Sequence, residues 1–98
     1  MPEVDIGVPR PAEVDAAIVI YTRAYCGFCT AAVRLLRARR FDFREIDVGG
    51  NHAARVWLAR ESKQDTVPQI FIRGRSIGGY TELAALDRSG ALTKMMGA

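Results

Sequence analysis

Two cysteines three positions apart, Cys26 and Cys29, are the only thiols in this chain. The stretch Tyr25-Cys26-Gly27-Phe28-Cys29-Thr30 that holds them constrains the fold more than any other. Residues three apart on a helix share a face, so two such sulfurs can close on each other when the chain enters a helix between them. The flanks agree. Ala17-Ile18-Val19-Ile20-Tyr21 is an apolar, β-branched and aromatic run of strand length, and Ala31-Ala32-Val33-Arg34-Leu35-Leu36-Arg37-Ala38 is rich in helix formers and free of Gly and Pro. The cysteines are therefore expected where a buried strand hands over to a helix.

The first-turn N–H groups of a helix lack internal partners, and the macrodipole leaves roughly half a positive charge there. A thiolate on Cys26 would be stabilised by both, which lowers its pKa from the free value of about 8.5. A fall of about two to three units would leave it mostly ionised at neutral pH. Cys29, one turn further in, lacks that access. Attack is assigned to Cys26 and resolution to Cys29. Two other readings stand beside this one. A structural zinc wants four ligands, and only His52 and the carboxylates remain to supply them. Inert core cysteines are common, but that reading leaves the pairing at a strand-to-helix junction unexplained.

Ninety-eight residues, 49% of them hydrophobic, suit one small domain with a packed core. The formal charge of +3 comes from twelve arginines and two lysines against eleven acids, spread along the chain with one local cluster at Arg37, Arg39 and Arg40. No dense basic stripe with interleaved aromatics appears, so nucleic acid is not an expected partner. A mild positive field would suit an anionic ligand. The N-terminus has no basic segment followed by an apolar core, and no apolar run approaches about eighteen residues, so neither a signal peptide nor a membrane span is expected. The expected compartment is the cytoplasm, where paired cysteines are more often catalytic than permanent staples.

In chain order, residues 1–14 hold Pro2, Pro9 and Pro11 and read as an extended, poorly ordered lead-in to a domain spanning 15–98. A strand from about Ala17 to Thr22 leads to a helix from Gly27 to Arg39, with Phe28, Ala32, Leu35 and Leu36 inward and Arg34 and Arg37 toward water. Phe43 to Val48 is a second strand, stopped by Gly49-Gly50. Asn51 caps a helix from His52 to Ser62 that carries Ala53, Val56, Trp57 and Arg60 at helical spacing, with Trp57 as a core anchor and His52 on the surface. Val67 to Ile72 is a third strand, a turn at Gly74-Arg75 returns Ser76-Ile77 as a fourth, and helices follow over Thr81–Asp87 and Ala91–Met96. The order β-α-β-α-β-β-α implies an α/β fold. Its sheet is mixed and four-stranded, with helices on both faces, one parallel crossover and an antiparallel final pair. Pro68 opens its strand, where it costs no ladder bond. Thr66-Val67 can offer an extended edge to a peptide-like ligand, and Gly78-Gly79 offers close approach and unpaired N–H groups to a carboxylate.

Together these blocks resemble the glutaredoxins, the thioredoxin-fold family that uses glutathione. The resemblance runs from about Ala17 to Met96. It is carried by Tyr21-Thr22-Arg23, Cys26-Gly27-Phe28-Cys29, Thr66-Val67-Pro68-Gln69-Ile70-Phe71-Ile72 and Ile77-Gly78-Gly79-Tyr80, with Leu83 and Leu86. It implies a cis bond before Pro68 and a groove in which glutathione lies beside Cys26, walled in part by Phe28, Thr66 and Pro68. Arg23 stands where the family usually has a lysine on the glycyl carboxylate, and Gln64 matches a position that shares that role. Val67 corresponds to the backbone that pairs with the cysteinyl part, and Gly79, Tyr80 and Thr81 to the segment that binds the γ-glutamyl end. Thr81 puts a hydroxyl where the family often has aspartate. Between the cysteines Gly27-Phe28 replaces the common proline and tyrosine, so the ring is kept and the phenol hydroxyl lost.

The resemblance implies a glutathione-dependent disulfide oxidoreductase acting on glutathionylated or disulfide-bonded proteins as a monomer. Glutathione is then a cosubstrate, and no metal or organic prosthetic group is needed. Relatives lacking that proline include carriers of a [2Fe–2S] cluster held between two chains by one cysteine each and two glutathiones, so a cluster-bound dimer ligated by Cys26 is the alternative. Thioredoxin itself fits less well. That family usually has tryptophan before the first cysteine and Gly-Pro between the pair, where this chain has Tyr25 and Gly27-Phe28.

Overall fold

The computed structural model describes residues 4–97. Strand β1 (Ile18–Thr22) is followed by helix α1 (Gly27–Ala38), β2 (Phe43–Asp47), α2 (His52–Ser62), β3 (Gln69–Ile72), β4 (Arg75–Gly78), α3 (Tyr80–Ser89) and α4 (Ala91–Met95). The strands lie in the order β2-β1-β3-β4, with β1 parallel to β2 and antiparallel to β3, and β3 antiparallel to β4. This is the mixed sheet expected from the element order.

Side-chain alternation along β1 and β3 builds two cores from one sheet. Ile18, Ile20, Ile70 and Ile72 face Ala32, Val33 and Leu36 of α1, Leu83 of α3 and Leu92 of α4. Val19, Tyr21 and Phe71 face the other way, onto Ala54 and Leu58 of α2 together with Ile46 and Val48. Because β1 is buried on both faces, it reads as an unbroken apolar run. Its C-terminal end is thereby fixed, and with it the point where the chain turns into α1.

Several expected details differ. Phe28 is exposed and Leu35 only half-buried, while Cys29 and Val33 take the inward places on α1. The helix starts at Gly27, so Phe28 lies in its first turn beyond the sheet edge. On α2 the buried residues are Ala54 and Leu58, with Trp57 half-buried and Ala53 and Val56 exposed. The expected stripe was displaced by one position. Val48 lies past the end of β2, yet it is fully buried and its N–H donates to the Thr22 carbonyl at 2.8 Å. Strand β3 begins only at Gln69, after the Val67–Pro68 bond, and α3 extends one residue earlier and two later than expected.

Of the expected lead-in, residues 1–3 lie outside the described residues; the rest bends at Gly7-Val8, forms a 3-10 turn at Pro11–Glu13, and is packed onto the domain through Ile6 rather than loose. A single helix, α2, covers the second face of the sheet, and Ile6, only 3% exposed, fills the rest of that core. The Ile6 carbonyl accepts a bond from Asn51 Nδ2 at 2.8 Å, and the Pro9 carbonyl accepts one from the Tyr21 hydroxyl at 2.7 Å. The Arg10 guanidinium sits 5.7 Å from the centre of the Trp57 ring, which stacks on Phe71. Burial, and after it the charge of Glu13, pushes the Tyr21 phenol well above its ordinary range, so it stays a donor throughout the working pH range.

Truncating the anchor, Ile6→Ala, should lower stability by about 2–4 kcal/mol through lost burial and the cavity left behind. Urea denaturation measures this, and an unchanged midpoint would mean that the lead-in contributes nothing to the fold.

Candidate active site

Cys26 is the N-cap of α1, in extended conformation at φ −122° and ψ 107°. Its sulfur accepts the Cys29 backbone N–H at 3.2 Å, the place a capping oxygen takes in other helices. Its carbonyl accepts from the N–H and the hydroxyl of Thr30, at 3.1 and 3.2 Å. Cys26 and Cys29 are joined as a disulfide, their Cα atoms 5.2 Å apart. Cys29 is 3% exposed, whereas Cys26 is half-exposed, so an incoming sulfur meets Cys26 first. The preceding Tyr25 turns the chain with φ 55° and stands wholly in solvent.

Across from the pair, the Val67–Pro68 peptide bond is cis and the Val67 carbonyl oxygen lies 3.8 Å from Cys26 Sγ. A groove of about 350 Å³ opens here, lined by Phe28, Gln64, Thr66, Val67, Pro68, Gly79, Tyr80, Thr81 and Glu82. The Phe28 and Tyr80 rings stack, with their centres 6.1 Å apart, although Phe28 stays 66% exposed. Gly79 makes a close approach, since a Cβ there would come within 3.1 Å of the Pro68 carbonyl oxygen and the backbone would have to give by a few tenths of an ångström.

A chain of polar side chains holds this groove together. Gln69 is fully buried, and its Nε2 donates to Gln64 Oε1 and to the Thr66 carbonyl, both at 2.9 Å. Gln64 Nε2 in turn donates to Glu82 Oε1 at 3.2 Å, and the Gly79 N–H donates to the same oxygen at 2.8 Å. The Gly79 N–H, and after it the Gln64 amide, hold the Glu82 carboxyl below its ordinary range.

The sequence-derived residues divide between two places. Phe28, Gln64, Thr66, Val67, Pro68, Gly79, Tyr80 and Thr81 converge on the groove. Arg23 does not: its guanidinium donates to the Ala24 carbonyl at 3.2 Å and lines a second hollow of about 370 Å³ on the other side of the cysteines. Glu82 was missed. Its signal was available in Gly79-x-x-Glu82, an acid three residues after a helix cap. Among the described residues no three His, Cys, Asp or Glu side chains converge as a metal site, and the chemistry on offer is that of a helix-capping sulfur with a second sulfur in bonding reach.

The glutaredoxin family model matches residues 18–77. Glutaredoxin from Pseudomonas aeruginosa is 42% identical over 81 residues, covering 83% of this chain and 96% of its own length. Glutaredoxin 3 from Escherichia coli K12 is 40% identical over 81 residues, covering 83% and 98%. Among solved structures, the buckwheat glutaredoxin–glutathione complex is similar with a TM-score of 0.77 at 28% identity, over 82% of this chain and 76% of that one. A dithiolic glutaredoxin from Trypanosoma brucei brucei is similar with a TM-score of 0.78 at 33% identity, over 84% and 88%.

A carboxyl whose pKa is depressed by folding stabilises the fold above its unfolded pKa and loses that contribution as pH falls through the lower folded value. Glu82→Gln should therefore destabilise the fold slightly at neutral pH, by well under about 1 kcal/mol, because the carboxylate is only half-buried and screened by solvent and the amide oxygen can still accept from Gly79. The gap to the unsubstituted protein should close as the pH drops below the usual carboxylate range. Thermal or urea unfolding across that range checks it, and a gap independent of pH would contradict the bonding described.

Proposed function

The chain belongs to the glutaredoxin family and is a thiol–disulfide oxidoreductase, and we propose that it uses glutathione to reduce glutathione mixed disulfides and protein disulfides. The observation that carries this reading is the groove beside Cys26, which has the backbone of Thr66 and Val67, ahead of β3, as one edge and the N-terminus of α3 as the other. An extended tripeptide can pair with such an edge through its backbone, and a carboxylate suits a helix N-terminus.

In the proposed reaction the Cys26 thiolate attacks the glutathione sulfur of a mixed disulfide. A Cys26–glutathione disulfide forms, and the protein thiolate leaves and takes a proton from solvent. A second glutathione thiolate attacks the bound glutathione sulfur, giving oxidised glutathione and regenerating Cys26. On a protein disulfide, Cys26 forms a mixed disulfide with the substrate, and Cys29 displaces the substrate by attacking Cys26 Sγ. Two glutathiones then reduce the Cys26–Cys29 bond. Cytoplasmic glutathione would supply the electrons.

Glu82 bears on the acid missing at Thr81. Glu82 lines the groove as Thr81 does, and the bonds from Gly79 and Gln64 use one of its carboxylate oxygens, Oε1. In this reading its second oxygen receives the ammonium group of a γ-glutamyl end. The role of Arg23 at the glycyl carboxylate rests on the family resemblance alone, since its guanidinium bonds the Ala24 carbonyl and lines the second hollow. The buried Cys29 within bonding reach competes for Cys26, which favours disulfide chemistry over cluster ligation.

In a steady-state assay of glutathione mixed-disulfide reduction, Cys26→Ser should fall to the uncatalysed background while Cys29→Ser retains most of the rate. Equal loss in both variants would reject these roles, and no turnover by the unsubstituted protein would reject glutathione as reductant.

A further inference from the structure

The two hollows that flank Cys26 differ in charge. The groove has one charged side chain among its lining residues, Glu82. The second hollow carries three arginines, Arg23, Arg34 and Arg37, against one acid, Glu45, whose Oε2 already accepts the Thr22 hydroxyl at 2.8 Å. Arg34 and Arg37 are both exposed, and neither forms an ion pair among the described residues. Arg39, by contrast, on the far side of the same helix, is locked to Asp87 at 2.8 Å. Arg37 can be placed by the negative pole at the end of α1, but Arg34 lies too far from that end for the dipole to explain it.

Spacing ties these arginines to the nucleophile. Cys26, Thr30, Arg34 and Arg37 follow one another at steps of four, four and three, which is one face of a helix. From Cys26 to Arg37 that face is about 16 Å long at about 1.5 Å per residue. An extended polypeptide of about five residues covers the same distance at about 3.3 Å each. Tyr25, wholly exposed beside Cys26, supplies an aromatic surface at the start of the track.

We propose that this face of α1 is the docking track for the protein substrate, and that it selects an extended, acidic segment next to the substrate's disulfide cysteine. The proposal rests on the reading of the chain as a reductant of protein disulfides, and it names the class of protein that reading leaves open. The groove on one side of Cys26 accepts the small thiol, and the arginine track on the other accepts the flank of the larger partner. Carboxylates there meet unpaired guanidinium groups, while a basic flank meets like charge and is slowed.

The test is a single-turnover reaction of the fully reduced protein with disulfide-linked peptide dimers whose cysteine carries about four acidic or about four basic neighbours. Each turnover converts the Cys26 and Cys29 thiols to their disulfide and the peptide disulfide to two thiols, so no glutathione is involved. At low salt the acidic peptide should react about tenfold faster than the basic one. The ratio should approach one near 1 M salt, where the Debye length is about 3 Å. In Arg34→Glu/Arg37→Glu the ratio should invert, and in Arg34→Gln/Arg37→Gln, which keeps good helix formers, it should fall close to one. A ratio cancels any change in the ionisation of Cys26. Equal rates for both peptides, or an acidic preference that survives both double substitutions, would overturn the proposal. The same peptides carrying glutathione on their cysteine separate the two readings. No turnover of these with a preserved acidic preference in the dimers rejects glutathione use and upholds the track, whereas turnover without preference does the reverse.

Discussion

The structure depends on a sulfur occupying the cap of a helix. Cys26 Sγ takes the Cys29 N–H that a serine or aspartate oxygen takes in most helices, so the group that finishes α1 is also the group that reacts. In the reduced protein a negative charge on that atom would strengthen the cap and meet the positive pole of α1, so folding and chemistry would favour the same ionisation state. The arrangement holds only because β1 is fixed on both faces, by Ile18 and Ile20 on one side and Val19 and Tyr21 on the other. A strand free to slide would move the cap relative to the Val67 carbonyl and the groove.

The second half of the site is assembled from distant segments. The loop after α2 brings Gln64, Thr66 and Pro68, the start of β3 brings Gln69, and the cap and first turn of α3 bring Gly79 and Glu82. Hydrogen bonds through the buried Gln69 amide hold them in register. A polar side chain with no exposure in a sheet of four strands is explained by that linkage, since its amide fixes the Thr66 carbonyl and the orientation of Gln64. The site is a sulfur between a groove whose one charged lining residue is acidic and a helix face that carries arginines, a setting suited to thiol–disulfide exchange between partners of unlike size and charge.

Much of this was legible in the residues, for identifiable reasons. The apolar run before Cys26 and the helix formers after it fix the strand-to-helix junction without tertiary information, and Gly74-Arg75 marks the hairpin. What escaped depends on contacts made across the fold. Phe28 looks like a core residue by type, but it leaves the core to stack on Tyr80, fifty-two positions away in the chain. Ile6 lies in a proline-rich segment that reads as loose, yet it closes a core that α2 alone leaves uncovered. The resemblance assigned Arg23 to the groove. A long exposed side chain is oriented by its neighbours, and here the Ala24 carbonyl turns it the other way. Glu82 escaped because its capping pattern points to helix stability, and only the folded chain shows that it lines the groove and bonds Gln64.

The ionisation of the capping sulfur is the property on which the chemistry turns. It is read directly by following thiolate absorbance, or the rate of alkylation, against pH in reduced Cys29→Ser protein, where Cys26 is the only thiol. An apparent pKa below about 7 is the expected result. A value at or above about 8.5, that of an unperturbed thiol, would contradict the claim that the first turn of α1 activates Cys26.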